Sequence, residues 1–277
     1  MRIRNPVGLV AAGGVNRSFV ARLPALMARL GPVKASSLRL SRRIANQLRA
    51  GAGVADYAQL QDCSMIWIFG PENTLDRVTA DLARHVRLDG KMVVLAEVIR
   101  DSRWPGPLRA SGAKVATLNC VPSSGERLFV AEGSREAIGE VRKLLGREGR
   151  KVISLRAGSK TLYLSGVFAA GHLLMPWISG AVESFRAAGF SRSEATGAVQ
   201  TLGEHALRAY AKGGAKSWNR GEAELLYRAI EADIETVRLS DHRLAALYAD
   251  HGERLLRPLA KKPASKRLQT VVALRAS

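Results

Sequence analysis

Apolar residues fall along this chain in two regimes. As far as Leu155, short apolar runs alternate with stretches of helical spacing. Val7–Val10, Met65–Phe69, Lys91–Ala96, Ala113–Leu118, Leu128–Val130 and Val152–Leu155 read as strands buried on both faces, with Val33–Leu40 as a further candidate. Between them Val15, Phe19, Leu23, Leu26 and Leu30 recur at the spacing of one helix face. That predicts a first helix, kinked where the Pro24 ring meets the Val20 carbonyl and stopped by Gly31-Pro32. Ser41–Leu48 predicts a second short helix; Leu75, Val78, Leu82 and Val86, then Ile138, Val141, Leu144 and Leu145, mark two more. Alternation of this kind predicts an α/β fold with a mostly parallel sheet and helices on both faces.

After Gly158 the period becomes helical throughout. The expected segments are Lys160–Ala188, Ser191–Lys212, Gly221–Leu239 and Ser240–Leu256, the second opened by Ser191 and Glu194 at capping-box spacing. The expected organisation is therefore a sheet domain over 1–157, an all-α C-terminal domain over 158–257 and a basic tail over 258–277. The helical half carries more apolar residues than one short bundle can bury, which predicts a homodimer built through it.

Composition sharpens this reading. Of 277 residues, 43 are Lys or Arg and 24 Asp or Glu, a formal charge of +19 that favours anionic ligands. Nucleic acid is disfavoured as the partner, because aromatics are only 5% and Trp67 and Phe69 lie in an expected buried strand. Cys63 and Cys120 are too few for a disulfide framework or a metal knuckle, so both are read as packing residues in a reducing, cytoplasmic setting. Ser165–Val182 is broken by His172, Pro176 and glycines, so no membrane span is expected.

The turn after the first strand carries the first candidate chemistry. Such turns bind pyrophosphate when they read G-x-G-x-x-G, since the backbone must approach the phosphates and the helix must pack against the strand. Here the stretch is Ala11-Ala12-Gly13-Gly14-Val15-Asn16, which keeps the middle glycine and sets Asn16 in the crowded place. An ordinary strand–turn–helix without nucleotide fits as well. Farther along come Lys34, Ser36, Ser37, Arg39, Arg42 and Arg43 with no acid, so a bound dinucleotide should be NADP(H) rather than NAD(H). A solvated arginine face is the alternative.

Val7–Phe19, Ile66–Glu72, Leu118–Glu132 and Lys160–His172 together resemble a family of bacterial two-domain proteins with a Rossmann-like N-terminal domain. Their helical domain is similar to the C-terminal domain of 6-phosphogluconate dehydrogenase, and more distantly they resemble pyrroline-5-carboxylate and ketopantoate reductases. Gly70-Pro71-Glu72 matches the family's V-P-D loop, Lys160 and Tyr163 its Lys-x-x-Tyr pair, and Arg220-Gly221-Glu222 its R-G-D turn. The chain departs at Leu164, where the family has histidine, and at Gly171, beside His172, where it has asparagine. The resemblance implies an NADP-dependent reductase, or a relative that has lost the activity.

The expected activity is reduction of a small carbonyl or imine compound in an interdomain cleft. Gly13, Gly14 and Asn16 would face the pyrophosphate, Ser37, Arg39, Arg42 and Arg43 the 2′-phosphate, and Gly70 and Pro71 the nicotinamide. The expected proton donors, in order, are His172, Lys160 and Tyr163; histidine leads because its ordinary pKa suits exchange at neutral pH. A non-catalytic binding protein with a degenerate dinucleotide site is the alternative, and a nucleic-acid-associated protein the second. No metal-ligand spacing is present among the histidines.

Overall fold

A computed structural model describes residues 6–14, 18–217, 219–246 and 248–249. Asn16 and the basic tail lie outside them. The chain forms two compact units, one ending at Phe168 and one beginning at Ala169.

The first unit is built on an eight-stranded sheet. In chain order its strands are β1 (Val7–Ala11), β2 (Leu30–Lys34), β3 (Ala52–Val54), β4 (Met65–Phe69), β5 (Met92–Ala96), β6 (Lys114–Cys120), β7 (Leu128–Gly133) and β8 (Lys151–Ser154). They lie in the order β3-β2-β1-β4-β5-β6-β7-β8, all neighbours parallel except β6 and β7. The direction of the order reverses between β1 and β4, where parallel sheets of this kind hold their ligands. Side chains alternate across the sheet. Met65, Trp67 and Phe69 of β4 join one apolar cluster with helices α2 (Leu38–Leu48) and α5 (Arg135–Gly146), while Ile66 and Ile68 join the other with α3 (Glu72–His85) and α4 (Gly106–Ala110). Two buried faces explain why the strands read as continuous apolar runs rather than as alternation.

Three sequence expectations change in kind or place, and the helix expected over Gly221–Leu239 also divides, at Asp233. The long first helix is absent: Phe19–Arg22 is a 3-10 turn, Leu23 is extended, and α1 (Pro24–Met27) is a single turn. Pro24 drives the residue before it out of the helical region and itself fills the first helical position, so it starts a helix instead of kinking one. The second strand lies at Leu30–Lys34 rather than Val33–Leu40, with Gly31 and Pro32 inside it. Opposite Val7 to Leu9 it takes Leu30 to Val33, one residue too many, and that bulge accommodates the proline. The third is Lys160–Ala188, which divides into α6 (Lys160–Ala170) and α7 (Leu174–Ala187).

The second unit continues with α8 (Arg192–Gly213), α9 (Arg220–Ala232) and α10 (Ile234–Ser240). The predicted capping box opens α8, Ser191 Oγ accepting from the Glu194 amide and the Glu194 carboxylate from the Ser191 amide. Among the described residues of this unit only Ala195, Leu244 and Ala245 are buried apolar side chains, whereas Leu174, Met175, Leu207, Tyr210 and Leu225 are exposed. Thr196, Val199, Gly203 and Leu207 of α8 face Leu174, Ile178 and Val182 of α7 across an apolar groove of about 520 Å³. The run Lys160–Ala187 reaches a mean hydropathy of 1.3, long and apolar enough by composition to cross a bilayer.

Candidate functional site

The turn after β1 meets the turn after β4. A Cβ added to Gly70 would lie 2.5 Å from the Cβ of Ala12, and one added to Gly13 would lie 3.1 Å from Pro71 Cδ. The structure thus brings Gly13 together with Gly70 and Pro71. Gly14 is exposed, and among the described residues nothing lies within 4 Å of where its Cβ would stand. Beyond it Ser18 caps the 3-10 turn, and the Phe19 amide donates to Glu97 Oε1 at 3.0 Å. Glu97 follows β5 directly and holds a positive φ of 61°. With only short helical pieces here, the dipole of a full first helix is missing.

At the end of β2, the Ala35 amide donates to Ser41 Oγ at 2.8 Å, and Ser37 caps α2 through the Leu40 amide. Arg39, Arg42 and Arg43 are exposed on α2 and line a shallow depression with Asn46 and Gln47. A separate cavity of about 250 Å³ opens beside the ends of β1 and β2, lined by Ala12, Lys34, Ser36, Tyr57, Arg77 and Asp81 among others. Lys34 Nζ sits 5.0 Å from the centre of the Tyr57 ring, which stacks on His85. Lys34 and Ser36 therefore share a cavity, while the arginines of α2 lie on another surface.

The proton-donor candidates separate sharply. His172 is exposed in the break between α6 and α7. Tyr163 is half-buried, and burial raises its phenol above the ordinary value. Lys160 is 1% exposed and its Nζ makes no hydrogen bond among the described residues. Burial lowers its ammonium to about 8, against the opposing pull of Glu132, Glu72 and Asp101. Glu132, on β7, is fully buried; one carboxylate oxygen accepts from the Gly158 amide and the other has no partner. Gly158 has φ +75°, and a Cβ there would press on the Arg103 guanidinium at 3.1 Å, so only glycine suits this turn.

No protein-family model matches the chain, and no curated protein does. Solved structures do. Two reductases share this fold. An imine reductase from Myxococcus stipitatus, in complex with NADP+, superposes with a TM-score of 0.61 at 13% identity over 90% of this chain and 94% of its own. A pyrroline-5-carboxylate reductase from Coxiella burnetii gives 0.54 at 11% identity over 93% and 100%. A putative NADP oxidoreductase from Bacteroides fragilis gives 0.64 at 12% identity over 89% and 98%. At these identities the likeness establishes the Rossmann-like sheet and helical C-terminal region.

Sequence reasoning missed Glu132, Tyr57 and Arg77. An acid closing the apolar run Leu128-Phe129-Val130-Ala131 was a signal for Glu132. Tyr57 and Arg77 join Lys34 only through the fold.

Proposed function

We propose that this protein is an NADP(H)-dependent oxidoreductase that reduces a small carbonyl or imine compound. The observation that carries the reading is Lys160, a buried amine with no hydrogen-bond partner among the described residues, lowered by burial to about 8, close to neutral pH where a proton donor is most effective. The neighbours solved with NADP+ or NADPH support the choice of cofactor. The basic and polar residues past β2 fit a dinucleotide at the sheet's carboxyl edge. Gly13, Gly14 and Asn16 would hold its pyrophosphate and Gly70 and Pro71 its nicotinamide side. In this reading Lys34 and Ser36, with Ser37 next along the chain, face the 2′-phosphate, whereas Arg39, Arg42 and Arg43 line the separate depression of α2 and do not share that cavity. When bound, NADPH supplies the hydride. Lys160 supplies the proton in this reading and takes precedence over Tyr163 and His172 as the donor.

The helical unit is proposed to pair with a second copy, because its apolar side chains find so few partners within the described chain. The setting is proposed to be cytoplasmic. One observation favours the non-catalytic alternative: the Glu97 carboxylate already holds the Phe19 amide, beside the turn where phosphates would approach. Thermal denaturation with NADPH, NADH or neither decides between them, since a ligand at a hundred times its Kd stabilises by about 2.7 kcal/mol. Selective stabilisation by NADPH supports the reductase; no shift at millimolar cofactor supports the alternative.

A further inference from the structure

Surface cations on most helices of this chain sit beside a carboxylate one turn away. Arg84 pairs with Asp81, Lys143 with Glu140, Arg186 with Glu183, Arg208 with Glu204 and Arg238 with Glu235. Helix α2 departs from this pattern, having no acidic residue between Leu38 and Leu48. Among the described residues the guanidinium groups of Arg39, Arg42 and Arg43 make no ion pair or hydrogen bond, and all three residues are exposed. Such a sequence works against the helix. Arg39 lies in the first turn, where the helix dipole disfavours a cation, and it repels Arg42 and Arg43 three and four residues on. The same spacing gathers the three groups on the outward face around a shallow depression of about 740 Å³, with Asn46 and Gln47 continuing the stripe. The inward face is fixed, since Ser41, Ile44 and Ala45 are buried and a Cβ at Gly53 of β3 would clash with the Arg42 backbone. Unopposed cations held on a packed element are stabilised when an anion covers them.

We propose that the outward face of α2 docks the phosphate backbone of double-stranded DNA. From Arg39 to Arg43 the helix advances about 6 Å, which spans about two phosphates of one strand. Guanidinium groups grip phosphate oxygens through paired N–H donors, and Asn46 and Gln47 are able to donate to the sugar–phosphate chain or to base edges. No aromatic residue stands on this face to stack on unpaired bases, so a duplex suits it better than a single strand. The low aromatic content of the chain therefore does not count against this partner. An exposed helix fits the wide major groove of DNA but not the deep, narrow groove of duplex RNA. The formal charge of +19 draws the same polyanion to the molecule. This docking surface is independent of the reductase reading.

The test is fluorescence anisotropy of the full-length protein on a labelled, mixed-sequence DNA duplex between about 50 and 200 mM salt. The triple variant Arg39→Gln, Arg42→Gln, Arg43→Gln should weaken binding and flatten the plot of log K against log salt by about 2.7, the share of three phosphate contacts. A control triple, Arg84→Gln, Arg186→Gln, Arg208→Gln, removes as many charges from helices that pair them and should flatten it by less than about 1. If the first triple does not fold, Arg39→Gln alone, which relieves the first turn, should flatten the plot by about 0.9. Equal changes in the two triples reduce the effect to bulk charge and overturn the proposal, as does wild-type protein that binds no duplex at about 50 mM salt. Tighter binding of poly-glutamate than of the duplex overturns it in favour of an acidic protein partner. Loss of NADPH-dependent thermal stabilisation in the first triple, with the salt slope unchanged, returns these arginines to the cofactor and also overturns it.

Discussion

Burying Lys160 should cost stability in a defined pH window. Its proton affinity falls from the ordinary 10.5 to about 8 on folding. Between these values the unfolded chain holds a proton that the folded chain has lost, so stability rises with pH across the window. Well below pH 8 both states are protonated and the full penalty applies, about 3.5 kcal/mol at about 1.4 kcal/mol per pH unit. Above 10.5 it is gone. Replacing Lys160 with Met removes this titration while filling similar volume. Urea unfolding of both proteins should be compared at pH 8 and 10.5 in a Trp177→Phe, Trp218→Phe background, so that Trp67 and Trp104 report on the sheet unit alone. Wild type should gain about 2.5 kcal/mol relative to Lys160→Met between the two pH values, the part of the penalty that titrates there. A difference that stays flat would refute the burial of a titrating amine.

Other perturbations probe the frame around it. Gly70→Ala would force the β1 and β4 turns apart, since the new methyl meets Ala12 at 2.5 Å; calorimetry should show a loss of about 1–3 kcal/mol. Leu23→Ala, at a fully buried position between the 3-10 turn and α1, should cost about 2–5 kcal/mol in urea unfolding. A cost near zero there would mean that the short segments after β1 are not packed on the sheet. Leu207→Glu places a charge in the apolar groove of α7 and α8; light scattering should show a smaller species than wild type if two copies meet there.

The strands were legible because burial on both faces leaves unbroken apolar runs, as in Met65–Phe69. What misled was punctuation. Gly31-Pro32 reads as a stop, and only the pairing with β1 reveals a bulge that tolerates it. The edge strand β3 has just Ala52, Gly53 and Val54, too little pattern to register. Helical spacing from Val15 to Leu30 suggested one helix, yet Phe19, Leu23 and Leu26 reach the core from a 3-10 turn, an extended residue and one α-turn, and Leu30 from β2. For the site, Lys160 was visible as a residue type, but its rank above His172 depends on burial. The cavity of Lys34, Tyr57 and Arg77 gathers residues far apart along the chain, which no local pattern announces.

The antiparallel step between β6 and β7 bears on the order of assembly. These strands are joined by residues 121–127 alone, whereas β1 must find β4 across more than fifty residues. Short-range closure is faster, with hairpins forming in about 1–10 μs, and long-range parallel pairing waits on costlier loops. The β6–β7 ribbon is therefore expected to nucleate the sheet and the β1–β4 centre to condense onto it. Pulsed hydrogen exchange during refolding should protect Leu118 and Val130 before Leu9 and Trp67; the reverse sequence would exclude this route.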